Sequence, residues 1–235
     1  MDPKERLIFA LDVPDAAQGR KYVELLKDHV GYFKIGLQLF IAEGPAIIQK
    51  LFPDNPHQVF LDLKLHDVPV TMKGGAASAD KHGVHFLTVH GEEGEESLKT
   101  MLTGIAGTTE VLCVTVLTSV SEEMLRSMGA TMSVSDLVLM RAETARRAGC
   151  HGVVCSGLEA ERVRAACGDN FHVVTPGIRP AWEGMQVHDQ KRVVTPEIAI
   201  KSGASHMVVG RPIRDAENPA DAARKIVDEI DKALN

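Results

Sequence analysis

Short apolar runs alternate with amphipathic stretches along the whole chain. The apolar runs cover about residues 7–13, 31–40, 58–65, 84–91, 110–119, 151–157, the first part of 171–180, and 206–213. Each run is short and rich in leucine, β-branched or aromatic residues, which is typical of a buried β-strand. Helical patterning follows the runs, is interrupted near Gly44-Pro45, and returns last over about 219–233.

This alternation predicts the fold. Strands that alternate with helices imply right-handed βαβ units and a parallel sheet. Eight such units in 235 residues, with no linker or shift in composition, fit a single (β/α)8 TIM barrel over residues 1–235. A doubly wound open sheet is the alternative, but the first turn, LDVPDAAQG, lacks the glycine pattern of a dinucleotide site.

Composition and charge add few constraints. Hydrophobic residues make up 44% and charged residues 25% of the chain, which suits an ordinary packed core. The net charge of -6 argues weakly against nucleic acid as a partner, and no uncharged apolar run approaches the ~20 residues of a membrane span. The cysteines and histidines show no metal-ligand or secreted-disulfide spacing. We therefore expect a cytoplasmic protein without a metal, a membrane partner or a nucleic-acid partner.

The stretch HQVFLDLKLHDVPVT, residues 57–71, places charges where the strand pattern predicts burial. Because side chains alternate across a strand, Asp62 and Lys64 share one face and the neighbouring leucines the other. The leucine face suits packing under helices, so the charged pair is expected to point into the barrel. Asp67 follows the strand end. A structural ion pair is an alternative to a catalytic role, because buried charges are retained only when they are paired.

Polar residues also occur at the carboxyl ends of the other predicted strands, where barrels carry their active sites. They are Asp12, Lys34, His90, Thr118, Ser119, Thr175, Gly210 and Arg211. Single members have simpler explanations: Asp12 could cap a helix, Lys34 could reach solvent along its stem, and Thr118 could bond to the backbone. Their clustering at one end of the barrel favours a functional site.

Two connections predict a phosphate site. Residues 176–192 form a connection that is long for a barrel loop and rich in glycine, proline and polar residues, so we expect a lid there. After the eighth strand, Gly210 and Arg211 combine accessible backbone amides with a guanidinium group. The loops after strands seven and eight are the usual phosphate site of this fold. Alone, G-R-P fits a surface turn equally well, but its position beside the lid favours phosphate binding.

A series of motifs resembles orotidine 5′-phosphate decarboxylases. They are A-L-D at 10–12, F-K-I-G at 33–36, D-L-K-L-H-D at 62–67, L-T-S at 117–119, P-G-I-R-P at 176–180, D-Q at 189–190 and V-G-R-P at 209–212. They run from the first strand to the last in family order. The resemblance implies a homodimer that converts orotidine 5′-phosphate to UMP without cofactor or metal, the last step of de novo pyrimidine biosynthesis.

The resemblance also implies roles for individual residues. Lys64 would donate a proton to carbon 6 of the pyrimidine, Asp62 would lie against the departing carboxylate, and Lys34 would link Asp62 to the ribose. Asp67 would complete the charge array but serve the neighbouring subunit's site, with Thr71 beside it. The other implied contacts are Asp12 to the ribose, Thr118 to the pyrimidine edge, and Arg179, Gln190, Gly210 and Arg211 to the phosphate or its lid.

Two other functions stay open from the sequence. A magnesium-dependent sugar-phosphate lyase of the same superfamily shares the D-x-K-x-x-D motif, but it carries an acidic metal ligand where this chain has Lys34. A lysine there would repel a dication, which disfavours this alternative. The other is a non-catalytic barrel that binds a phosphate ligand, and binding alone gives little reason to bury the charge array.

Overall fold

A computed structural model describes residues 2–183 and 192–235. In this part of the chain, eight strands close into a barrel in chain order. All neighbouring strands pair in parallel, and β1 pairs with β8. The predicted (β/α)8 barrel is therefore confirmed. The strands are β1 Leu7–Ala10, β2 Tyr32–Gly36, β3 Val59–Leu65, β4 Phe86–His90, β5 Glu110–Val114, β6 Gly152–Val154, β7 His172–Thr175 and β8 His206–Val209.

Helices connect the strands and cover the outside of the barrel. They are α1 Ala16–Leu26, α2 Leu37–Glu43, α3 Ala46–Leu51, α4 Pro69–Asp80, α5 Glu95–Leu102, α6 Glu122–Ser127, α7 Val134–Ala148, α8 Ala160–Cys167, α9 Pro196–Lys201, α10 Arg211–Arg214 and α11 Pro219–Leu234. The predicted interruption between α2 and α3 is confirmed: Gly44 has a φ of 67°, a left-handed conformation that glycine adopts readily. No helix in the described residues is long and apolar enough to cross a membrane.

Several strands are shorter than their apolar runs predict. The first run continues to residue 13, but β1 ends at Ala10, and the fifth continues to residue 119, but β5 ends at Val114. The apolar residues Leu11 and Val116, just beyond these strand ends, are still buried, with 0% and 5% of their surface exposed. Hydrophobicity therefore predicts burial correctly here, but it does not separate a strand from the buried loop that follows it.

Two hydrophobic clusters show why both strand faces are apolar. The outward side chains, such as those of Phe9, Phe33 and Leu61, pack in one large cluster with the helices. The inward side chains form a second cluster inside the barrel, made of Ile8, Ala10, Phe60, Phe86, Leu112, Val174 and Val208. Since this inner cluster fills the barrel, the space for a ligand lies at the carboxyl ends of the strands, as in other barrels of this type.

Candidate active site

A cavity of about 550 Å³ lies at the carboxyl ends of the strands. This volume is within the range of small-molecule sites in proteins. The structure brings together most of the residues that the sequence predicts for the site: Asp12, Lys34, Asp62, Lys64, Thr118, Arg179, Gly210 and Arg211 line the cavity. Ala10, Phe60 and Val208 of the inner cluster contribute apolar surface to the same cavity.

Strand β3 departs from regular geometry where its charged residues occur. Its pairing with β4 is regular up to Leu61 and resumes at Leu65, so residues 62–64 lie opposite the single β4 residue Thr88. Lys64 has a φ of 52°, the one positive value at a non-glycine residue in the described part of the chain. Bulges next to active sites re-aim side chains. Asp62 and Lys64 both face the cavity, as strand alternation predicts, but they do so through a bulge that alternation does not predict.

Four charged side chains form a continuous array along the cavity. Lys34 Nζ donates to Asp12 Oδ1 at 2.9 Å and lies 3.7 Å from Asp62 Oδ2. Lys64 Nζ donates to both carboxylate oxygens of Asp62 at 2.9 Å. The side chains of Lys34 and Asp62 are only 11% and 13% exposed, so water screens this part of the array weakly. The charges alternate in sign, and each ammonium group contacts a carboxylate.

The electrostatics of Asp62 follow from its neighbours. Burial alone raises the pKa of the carboxyl, because the charged form loses hydration. The ammonium groups of Lys34 and Lys64, with a further hydrogen bond from Thr88, outweigh burial and hold the pKa of Asp62 below its ordinary value. Asp62 is therefore ionised at neutral pH, and the alternating charges of the array are preserved.

Guanidinium groups supply positive charge to the same cavity. Arg179 and Arg211 line it, as the sequence predicts, and Gly210 precedes Arg211 at the start of α10. A Cβ at Gly210 would meet only an ordinary contact, 3.5 Å from the Ala10 Cβ, so packing within the chain does not require glycine here. The backbone at Gly210 is instead left open on the cavity side. Guanidinium and backbone N–H groups together are a common arrangement for binding phosphate.

Two further residues belong to this region, and neither is among those predicted from the sequence. Arg214 lines the cavity and donates to the carbonyl oxygen of Asp12 at 3.1 Å. Its spacing of three from Arg211 in a helical turn was the available signal. Thr88 is fully buried beneath the charge array and contacts both Asp62 and Lys64. Its signal was a polar residue in the middle of β4, between apolar neighbours.

Of the residues to which the resemblance assigns a role, two do not line this cavity and a third lies outside the described residues. Asp67 and Thr71 are exposed and do not line the cavity of their own chain. Asp67 Oδ1 accepts the backbone N–H of Val68 at 2.6 Å, just before α4 begins. Gln190 lies outside the described residues, as does the part of the predicted lid from 184 to 191. The lid and the action of Asp67 and Thr71 on a second subunit therefore stay predictions.

Comparison with known proteins agrees with the motifs. The family described as orotidine 5′-phosphate decarboxylase / HUMPS matches residues 5–226. The chain belongs to this family. It is 48% identical over 230 residues to an orotidine 5′-phosphate decarboxylase of Afipia carboxidovorans, covering 97% of this chain and 96% of the relative. A second relative of the same name, from Geobacter sp. strain M21, is 43% identical over 233 residues, covering 96% of each chain.

A solved structure gives the same result for the fold. The crystal structure of orotidine 5′-phosphate decarboxylase from Lactobacillus acidophilus superposes with a TM-score of 0.82 at 37% identity, covering 95% of this chain and 98% of that one. The resemblance inferred from the motifs is thereby confirmed at the level of the family, over almost the whole chain.

Proposed function

We propose that this chain decarboxylates orotidine 5′-phosphate to UMP without a metal or cofactor. The observation that carries the proposal is the Asp12–Lys34–Asp62–Lys64 array, in one cavity with the guanidinium groups of Arg179 and Arg211. Such a cavity offers a proton donor held by the Asp62 carboxylate at one place and phosphate-binding groups at another. The names of the relatives support this substrate.

Lys64 supplies the acid and the positive charge that the reaction needs. When the bond between carbon 6 and the carboxylate breaks, carbon dioxide leaves and the electron pair stays on carbon 6, where the ring offers no electron sink. An ammonium group held beside that carbon stabilises the developing charge without reorganisation. The Lys64 ammonium then gives its proton to carbon 6, and the neutral amine regains a proton from water. Asp62 fixes this ammonium through two hydrogen bonds.

The rest of the array orients the substrate. Asp62 lies against the substrate carboxylate, and the Lys34–Asp12 pair binds the ribose hydroxyl groups. Thr118, which is 8% exposed and lines the cavity, contacts the pyrimidine edge. The phosphate binds at the other predicted residues, namely Arg179, Gln190, Gly210 and Arg211. Binding energy gained at the phosphate, far from the reacting carbon, contributes to catalysis when it is realised in the transition state.

The active form in this proposal is a homodimer with shared sites. The exposed position of Asp67 and Thr71, outside their own cavity, supports their action on the neighbouring subunit. Exposed apolar side chains occur on helix α2 and at the start of α4, the helices that follow the adjacent strands β2 and β3. They are Leu37, Ile41, Val68 and Val70, which are 51%, 77%, 63% and 76% exposed. Exposed apolar groups of this kind are typical of an interaction surface.

The geometry at Lys34 favours the decarboxylase over a magnesium-dependent sugar-phosphate lyase. The Lys34 ammonium lies between the carboxylates of Asp12 and Asp62, at 2.9 and 3.7 Å. A divalent cation bound by those carboxylates would have to displace this ammonium or lie beside a like charge. The oxygen donors of the cavity are therefore already neutralised by lysine.

One assay tests the proposal directly. The purified protein is mixed with orotidine 5′-phosphate in EDTA, and the loss of substrate absorbance is followed together with the appearance of UMP. We expect full turnover in the chelator. Strict dependence on added Mg²⁺ would refute the metal-free reaction, and failure to form UMP under any condition would refute the proposed substrate.

A further inference from the structure

Thr88 lies at the centre of the irregular pairing between β3 and β4. It is the single β4 residue opposite residues 62–64, and it has no exposed surface. Since the bulge interrupts the ladder at this point, the backbone N–H of Lys64 needs an acceptor other than a β4 carbonyl. A buried N–H group is nearly always paired in a native structure.

The hydroxyl group of Thr88 provides that acceptor. The Lys64 N–H donates to Thr88 Oγ1 at 2.8 Å, and Thr88 Oγ1 donates to Asp62 Oδ1 at 3.0 Å. A hydroxyl has one proton to donate, and an ionised carboxylate can only accept. The direction of both hydrogen bonds is therefore fixed. Through them, one hydroxyl connects the backbone of the proton donor to the carboxylate that holds its ammonium group.

The backbone of Lys64 needs this support. Its φ of 52° is in the left-handed region, which is unfavourable for a residue with a Cβ. Such a conformation persists only where the surrounding structure holds it, and it occurs often at functional sites. In the described part of the chain, the contacts by which β4 supports the bulge include the two hydrogen bonds of Thr88. A valine at this position would preserve the shape of the side chain but make neither bond.

We propose that Thr88 is a positioning residue whose hydroxyl holds the Lys64 ammonium and the Asp62 carboxylate in the geometry of the decarboxylation reaction. Thr88 does not itself line the cavity, so it acts through these two residues. The inference rests on the proposed function, because it assigns Lys64 and Asp62 the roles given there.

Loss of the hydroxyl has two expected consequences. The first is a misplaced ammonium group, and displacements near 1 Å at a reacting centre lower rates by about 10²-fold. The second concerns the carboxylate: removing a hydrogen-bond donor from an ionised carboxyl raises its pKa, so the acidic limb of the pH–rate profile moves to higher pH. A change that only loosened the barrel would lower stability without moving that limb.

The test compares three variants of the full-length protein. Thr88→Val removes the hydroxyl, Thr88→Ser keeps it, and Thr109→Val removes a buried hydroxyl that donates to the Val84 carbonyl near the amino end of the barrel. We expect kcat to fall about 10²-fold in Thr88→Val and less than about fivefold in Thr88→Ser. The acidic limb of the pH–rate profile moves to higher pH in Thr88→Val alone. In Thr109→Val this limb stays at the wild-type pH. UMP binding changes by less than about threefold in all of them.

Several results would overturn the proposal. They are an unchanged kcat in Thr88→Val, an equal loss in Thr88→Ser, and an equal loss with the same shift of the acidic limb in Thr109→Val. If Thr88→Val does not fold, Thr88→Cys is compared with Thr88→Ser instead. The comparison is the same, because a thiol is a poorer hydrogen-bond donor than a hydroxyl.

Hydrogen exchange at the Lys64 amide separates this proposal from the proposed function. We expect protection in the wild type and in Thr88→Ser, and fast exchange in Thr88→Val. If the wild type does not form UMP but this pattern holds, the proposed function fails while the geometric role of Thr88 stands. Equal protection in all variants refutes the role of Thr88 whatever the activity.

Discussion

The Nζ atom of Lys34 lies 2.9 Å from the position that a Cβ atom would occupy at Gly36. Asp12 Oδ1 lies 3.4 Å from the same position. The backbone of Gly36 is extended, with a φ of -99°, so other residues could adopt its conformation. What requires the glycine is therefore the adjacent ion pair. Gly36 leaves the room in which the Lys34 ammonium reaches Asp12.

Replacing Gly36 by alanine tests this relationship. The added methyl group displaces the end of the flexible Lys34 side chain, so we expect kcat/KM to fall about tenfold. The fold should be retained, with a melting temperature within a few degrees of the wild type. Gly74→Ala is the control, since a Cβ there would meet nothing within 4 Å. Steady-state kinetics and thermal unfolding measure both effects, and unchanged kinetics in Gly36→Ala would contradict the role assigned to the glycine.

Replacing Lys64 by alanine tests the proton donor. The variant loses both the acid and the ammonium charge, so we expect turnover to fall by at least ~10³-fold. UMP binding should stay within about tenfold, because the phosphate groups of the cavity are intact. Exposed Lys81 gives a matched control in Lys81→Ala, which should keep wild-type kinetics. Isothermal titration and absorbance assays separate binding from turnover, and substantial residual activity would exclude Lys64 as the acid.

Mixing two inactive variants tests whether sites are shared. In a heterodimer of Lys64→Ala with Asp67→Ala, one of the two sites has both residues intact if Asp67 acts on its neighbour. Random exchange at equal amounts makes about half of the dimers mixed, so about a quarter of wild-type activity should return. Tagged chains and native mass spectrometry establish that exchange has occurred. Under that condition, an inactive mixture would show that Asp67 does not act across an interface.

Histidine rings gather at the amino ends of the strands, opposite the cavity. The rings of His85, His172 and His206 lie 4.2, 5.4 and 5.4 Å from the ring of Phe86, between centroids. Burial lowers the pKa of His85 to about 4 and that of His206 to about 3, and both are therefore neutral at pH 7. The titratable or charged groups that face these two histidines are Arg6, Tyr32, His57, Glu110, His151 and His172.

This cluster predicts a loss of stability in mild acid. An unfolded histidine has a pKa near 6.5, so the unfolded chain takes up protons below that pH while the folded chain does not. Stability is then full above pH 6.5 and falls as the pH drops towards about 4 and then about 3, the folded pKa values of His85 and His206. We expect a melting temperature about 5 °C lower or more at pH 5 than at pH 7.5.

The variant His206→Asn checks which group is responsible. Asparagine does not titrate, so the melting temperature of this variant should depend less steeply on pH between 6.5 and 4.5 than that of the wild type. His82→Asn, at an exposed position, is the control and should keep the wild-type slope. Equal slopes in all three proteins would exclude His206 as a source of the pH dependence.

The sequence by itself determined the architecture and most of the charged site. Eight apolar runs were enough for the barrel, because burial on both strand faces leaves a continuous hydrophobic signal. The positions of Asp62 and Lys64 followed from the period of a strand, and Lys34 and Arg211 from their strand ends. The strands and the placement of these charged residues depend on residues that are close in sequence. The order of residue types along the chain is therefore enough to predict them.

Only the tertiary structure decided how the charges are held. The bulge of β3 depends on its register against β4, and register is a relationship between residues far apart in sequence. The same is true of Thr88 beneath Asp62, of the space at Gly36 for the Lys34–Asp12 pair, and of the histidines that meet at the amino ends of the strands. In each case, the role of a residue is set by what the closed barrel places beside it, because hydrogen bonds and burial act through space.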